Sequence, residues 1–125
     1  MFTHVMVGAS DLERSKQFYD AVLGALGVRE PIRDKDRYFY RARGATFGIT
    51  KPINGEPPSS ANGGTIGFAA ESPEQVEAFH AAGLANGGTA IEDPPGARPS
   101  SMGDLYLAYL RDPDGNKICA LHLSR

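Results

Sequence analysis

The feature that most constrains this chain is that it repeats itself once. Residues 4–27, HVMVGASDLERSKQFYDAVLGALG, align without a gap on residues 65–88, TIGFAAESPEQVEAFHAAGLANGG, at an offset of 61. Six of the 24 positions are identical: Ala9 and Ala70, Glu13 and Glu74, Phe18 and Phe79, Ala21 and Ala82, Leu23 and Leu84, Gly27 and Gly88. The shared residues sit at a helix start, along an apolar stripe and at a closing glycine. Such a repeat marks a supersecondary unit that buries its apolar face against its copy. The chain reads as a duplicated module.

Within the first copy, residues 2–8 alternate like a strand, with Val5 and Val7 on one face and His4 and Met6 on the other. Ser10 and Glu13 form the S-x-x-E signature of a capping box, which places the helix cap at Ser10. Leu12, Tyr19, Val22, Leu23 and Leu26 give the helical stripe, and Gly24 and Gly27 close it. Strands are expected at 29–32, 37–41 and 45–50, the last two joined by an Arg43-Gly44 turn. Residues 51–64, KPINGEPPSSANGG, have the composition of a linker.

The pattern then restarts. A strand is expected at 65–70, and a helix capped by Ser72, with Pro73 at its first position and Gln75 completing a capping box. Val76, Phe79 and Leu84 carry its buried stripe, and Gly83, Gly87 and Gly88 finish it. A short strand at 89–92, a loop at 94–103, a strand at 105–110, a tight turn at Asp112-Pro113-Asp114-Gly115 and a strand at 117–123 follow. At an offset of 71, residues 44–49 also lie on residues 115–120. The expected fold class is α+β: two βαβββ modules in tandem, forming a half-open barrel around a concave cavity. One domain is expected, with module one over about 1–51, a linker over 52–64 and module two over 65–125.

Composition narrows the function classes. A net charge of −2 leaves no basic surplus for a phosphate backbone, so nucleic acid is not an expected partner. No run approaches the roughly 18 apolar residues of a membrane span, and MFTHVMVGAS lacks the basic start of a signal peptide. The lone Cys119 forms no intrachain disulfide, in keeping with a reducing, cytoplasmic location.

An N-terminal strand histidine, DLERSKQFYDAVLGALG, SPEQVEAFHAAGLANGG and RDPDGNKI together resemble the vicinal oxygen chelate superfamily. That group includes glyoxalase I, bleomycin- and fosfomycin-resistance proteins and extradiol dioxygenases. The resemblance covers nearly the whole chain. It implies four repeat-related metal-ligand positions, which fall on His4, Gly48, Thr65 and Cys119. Glycine has no donor atom and a threonine hydroxyl is a poor ligand, so no metal site and no cofactor is expected. The resemblance also implies a homodimer.

The expected ligand pocket comprises His4, Gly48, Thr65, Tyr106, Tyr109 and Cys119, with His4 and Cys119 as candidate catalytic groups. Tyr106 and Tyr109 lie on opposite strand faces, and the sequence does not fix which one looks into the cavity. His80 reads as a helix-surface or inter-element packing residue, His122 as exposed and pointing away from Cys119, and Arg98 as a solvated loop arginine rather than one that closes over an anionic ligand. Three functions follow. The leading one is a small-molecule binding protein without a metal. The second is a metal-independent lyase or isomerase using His4 as acid–base. The third is a divalent-metal enzyme of the lactoylglutathione-lyase or dioxygenase kind.

Overall fold

A computed structural model describes residues 1–124. The first module contains β1 (His4–Gly8), α1 (Leu12–Gly24), β2 (Ile32–Asp34), β3 (Arg37–Ala42) and β4 (Ala45–Thr50). The second contains β5 (Ile66–Ala69), α2 (Pro73–Ala85), β6 (Thr89–Ala90), β7 (Gly96–Ser100), β8 (Gly103–Arg111) and β9 (Lys117–Ser124). The sheets have matching orders, β1-β4-β3-β2 and β5-β9-β8-β6, with β7 added along β8. Neither closes on itself. The chain is α+β, two βαβββ modules, the second with β7 as an additional edge strand.

The duplication extends to register. Val5 lies opposite Phe47 where Ile66 lies opposite Ile118, and Met6 opposite Gly48 where Gly67 lies opposite Cys119. These pairs reproduce both sequence offsets. The β3–β4 connection is a two-residue turn in which Arg43 and Gly44 both take positive φ, 52° and 77°. That backbone matches strand twist and fixes Ala42 opposite Ala45.

One core serves both modules. Phe18, Tyr19, Val22 and Leu23 of α1 and Val76 and Phe79 of α2 pack with Phe47, Ile49, Leu110, Ile118 and Ala120 from the sheets. Both helices cover one face of their sheets, and the opposite faces carry no helix.

Several local expectations need correction. The cap of α1 is Asp11, whose carboxylate accepts the Arg14 N–H at 3.1 Å, whereas Ser10 turns toward Asp114. Asp11 is the position that the repeat pairs with the true cap Ser72. Leu84 is 46% exposed despite its identity with buried Leu23. Gly83 takes the buried place and lies inside α2 rather than ending it. A Cβ there would press on Leu110 and stand 3.2 Å from Val22 Cγ1 and 3.3 Å from Phe18 Cε1, so α2 sits too close to its neighbours for a side chain. The stretch expected as a loop contains β7, whose Pro99 is tolerated because the strand is at an edge. Strand β2 begins at Ile32 rather than ending there, and β6 stops at Ala90.

Candidate functional site

Register assigns every strand side chain to a face. On the helix-free face of the first sheet, His4 stands opposite Thr46 and Thr46 opposite Arg41, one row across three strands. The next row is Met6, Gly48, Phe39 and Ile32. His4 is exposed; its Nδ1 lies 2.8 Å from Thr3 Oγ1, and Nε2 has no partner among the described residues. Gly48 is buried beneath Met6: a Cβ there would meet the Met6 sulfur, with the methyl at 2.6 Å and Phe39 Cδ1 at 3.2 Å.

On the second sheet, Tyr109 stands opposite Cys119, and Gly67 stands opposite it from the other side. Tyr106 lies on the α2 face and its hydroxyl donates to Glu77 at 2.9 Å. Tyr109, the one that shares a face with Cys119, carries Lys117 Nζ over its ring at 4.7 Å, and Lys117 also pairs with Glu92. Burial pushes the Cys119 thiol up to about 11, with Lys117 opposing and Glu92 adding to the rise. The thiol is therefore protonated and a poor nucleophile at neutral pH. Thr65 precedes β5 and is exposed.

A cavity of about 220 Å³ lies between the modules at the His4 end, with an apolar lining that includes Val5, Phe47, Ile66 and Phe68. His4, Thr46 and Tyr40 are the polar side chains of its lining, and the Tyr40 hydroxyl donates to Asp20 at 2.7 Å. Of the six residues expected to line a pocket, His4 alone borders this one; Gly48, Thr65, Tyr106, Tyr109 and Cys119 do not. His122 is half-buried on the helix side, Nδ1 at 3.1 Å from Ala70 O, rather than exposed. His80 is half-buried on α2, and burial lowers its pKa. Arg98 is tied down by the carbonyls of Asp93, Pro94 and Gly96 at 2.9–3.1 Å. Sequence reasoning missed Thr46 and Arg41, although the Arg43-Gly44 turn already sets their register.

A divalent metal does not fit the family-implied positions. Gly48 offers no donor and its space is filled by Met6, and Thr65 offers only a hydroxyl, which leaves at most His4 and Cys119. Among the described residues no group of three or more His, Cys, Asp or Glu converges to hold an ion. Metal ligation of the usual kind needs at least three such donors.

The RDPDGNKI turn is structural. Asp114, on the β8–β9 loop, accepts the Ser10 N–H and hydroxyl at 3.1 and 2.6 Å and the Ser15 hydroxyl at 3.2 Å, joining module two to the start of α1.

Paired βαβββ modules, each with an open sheet face and with a histidine at the head of the first strand, define a class of small α+β proteins. The chain belongs to the Glyoxalase/Bleomycin resistance protein/Dioxygenase superfamily, whose model matches residues 1–120. The crystal structure of a glyoxalase/bleomycin resistance protein from Albidiferax ferrireducens T118 is 67% identical, with a TM-score of 0.95 over 98% of both chains. A lactoylglutathione lyase of Haemophilus influenzae is 29% identical over 120 residues, 92% of this chain and 87% of that protein. A glyoxalase-related enzyme from Fulvimarina pelagi shares the fold at 20% identity, with a TM-score of 0.74 over 98% of this chain and 87% of that one.

Proposed function

We propose that this protein binds a small organic molecule in the cavity between its modules, without a metal of the usual kind. The observation that carries the reading is the 220 Å³ space with a largely apolar lining, in which His4 and Thr46 are polar and the Tyr40 hydroxyl is already held by Asp20. Apolar walls with a few placed polar groups are the general form of a small-molecule site, and this volume falls below the roughly 300–1,000 Å³ of drug-sized pockets. The ligand is small.

The reading is tested by titrating the protein with a library of low-molecular-weight organic compounds while following backbone amide shifts. Binders are expected to move Val5, Ile66 and Phe68. His4→Ala should leave folding intact, since His4 is exposed, and weaken binding by up to about tenfold, the worth of one hydrogen bond. Compounds that bind only elsewhere would contradict it.

A second reading is a metal-independent lyase or isomerase, favoured by the unpartnered Nε2 of His4 at the cavity edge. In that case His4→Ala abolishes turnover rather than weakening affinity alone. The helix-free face of the second sheet supports a homodimer as the working form. That face presents the half-buried Leu105, Leu121 and Leu123, a surface suited to a second copy, and light scattering reads the mass directly.

A further inference from the structure

We propose that the open face of the first sheet takes a small organic carboxylate with an apolar body, anchored by Arg41 with Arg29 and Arg43 beside it. The proposal goes beyond the small-molecule reading: it concerns a separate cavity, on the open sheet face beside the apolar one. A second cavity, of about 460 Å³, opens at the β3–β4 hairpin and shares Ala42, Ala45 and Thr46 with the apolar one. Arg29, Arg41 and Arg43 line it together with Phe39 and Ile32. Strand spacing of about 4.8 Å puts the Arg41 Cα roughly 10 Å from that of His4, with the Thr46 hydroxyl between them.

The charge balance favours an anion. Arg43 is engaged by Glu71 at 3.1 Å, and Glu30 also lines the cavity. Among the described residues, Arg29 and Arg41 have no ion-pair partner. Cationic side chains thus gather in one concavity of a chain whose net charge is −2. A guanidinium offers a planar fork that matches a carboxylate with two parallel hydrogen bonds, and its binding is both stronger and more directional than a neutral contact. Phe39 and Ile32, in the row beside Arg41, supply apolar surface for the rest of the molecule.

The test titrates the full chain with benzoate, its neutral counterpart benzamide, and inorganic phosphate, reading amide shifts at low salt. Benzoate should bind about tenfold or more tightly than benzamide, the worth of one charge-assisted contact, and should shift Arg41 and Thr46. Arg41→Gln should remove the preference and leave benzamide binding as it was. Arg33→Gln, on the helix-side face beside Tyr38, should keep the preference. Equal binding of benzoate and benzamide would overturn the carboxylate proposal while leaving the small-molecule reading standing. A preference that survives Arg41→Gln would overturn the anchor. Phosphate binding tighter than benzoate, or no benzoate binding, would overturn the proposal as well.

Discussion

Asp112 is the most heavily used side chain in the structure. It is 4% exposed, and its two oxygens accept four hydrogen bonds: the Asp114 and Asn116 N–H groups on Oδ1 at 2.9 Å, and the Tyr19 hydroxyl and Asn116 Nδ2 on Oδ2 at 2.7 and 2.8 Å. A buried carboxylate is stable only when so satisfied. Asp112→Ala would orphan the Tyr19 and Asn116 donors at about 1–3 kcal/mol each, so urea unfolding should show a loss of more than about 2 kcal/mol. Tyr19→Phe should cost only about 1 kcal/mol, because three donors remain on Asp112. Equal losses would show that the network does not work as drawn. Cys119 gives a second test at this scale. Its thiol is raised from 9.0 to about 11, so above pH 9 the unfolded chain releases a proton that the native state keeps. Stability must then fall as pH rises from 9 toward 11. Tyr19 and Tyr40, both raised by burial, steepen the fall above pH 10. Urea midpoints across this range check the slope, and Cys119→Ala should flatten its lower part.

At the scale of elements, the helix pair is set by a glycine. Gly83→Leu gains helix propensity of about 0.8 kcal/mol but overpacks against Leu110, Val22 and Phe18 at about 1–3 kcal/mol, so the urea midpoint should drop. Leu84→Ala, at an exposed position, should change stability by less than about 0.5 kcal/mol. The reverse order would mean that α2 is rotated from the face described. Sequence alone proposed Leu84 because it matches Leu23, yet identity in a repeat does not carry burial when the two helices meet asymmetrically. Other elements were legible. The strand positions of β3, β4 and β9, the Ser72 cap and the Arg43-Gly44 turn follow from local chemistry that tertiary contacts leave alone. Strand β7 was hidden by its proline, which an edge strand tolerates and a propensity reading does not foresee. The cap of α1 was misplaced because Ser10 also fits the local pattern, and its true partner, Asp114, lies 104 residues away.

For the whole molecule, the duplicated register was readable from the two sequence offsets, and so was the place of His4 on β1, although that strand begins at His4 rather than at Phe2. The cavity itself was not. It forms where the first sheet meets β5 across the shared core, a juxtaposition made by packing between modules rather than by any local pattern. Of the family's ligand positions His4 borders the cavity, beside Thr46, which lies opposite His4 in register. The central claim is that this junction holds a small organic ligand. The most direct measurement is a ligand-observed NMR screen of small organic compounds against the native protein and against Ala45→Trp. Ala45 is exposed, borders this cavity and shares a strand face with Phe47, so tryptophan there occupies the cavity from its exposed side. The account predicts compounds that bind the native protein and lose binding in the variant. Binding that is indifferent to the tryptophan, or absent from the native protein throughout, would contradict it.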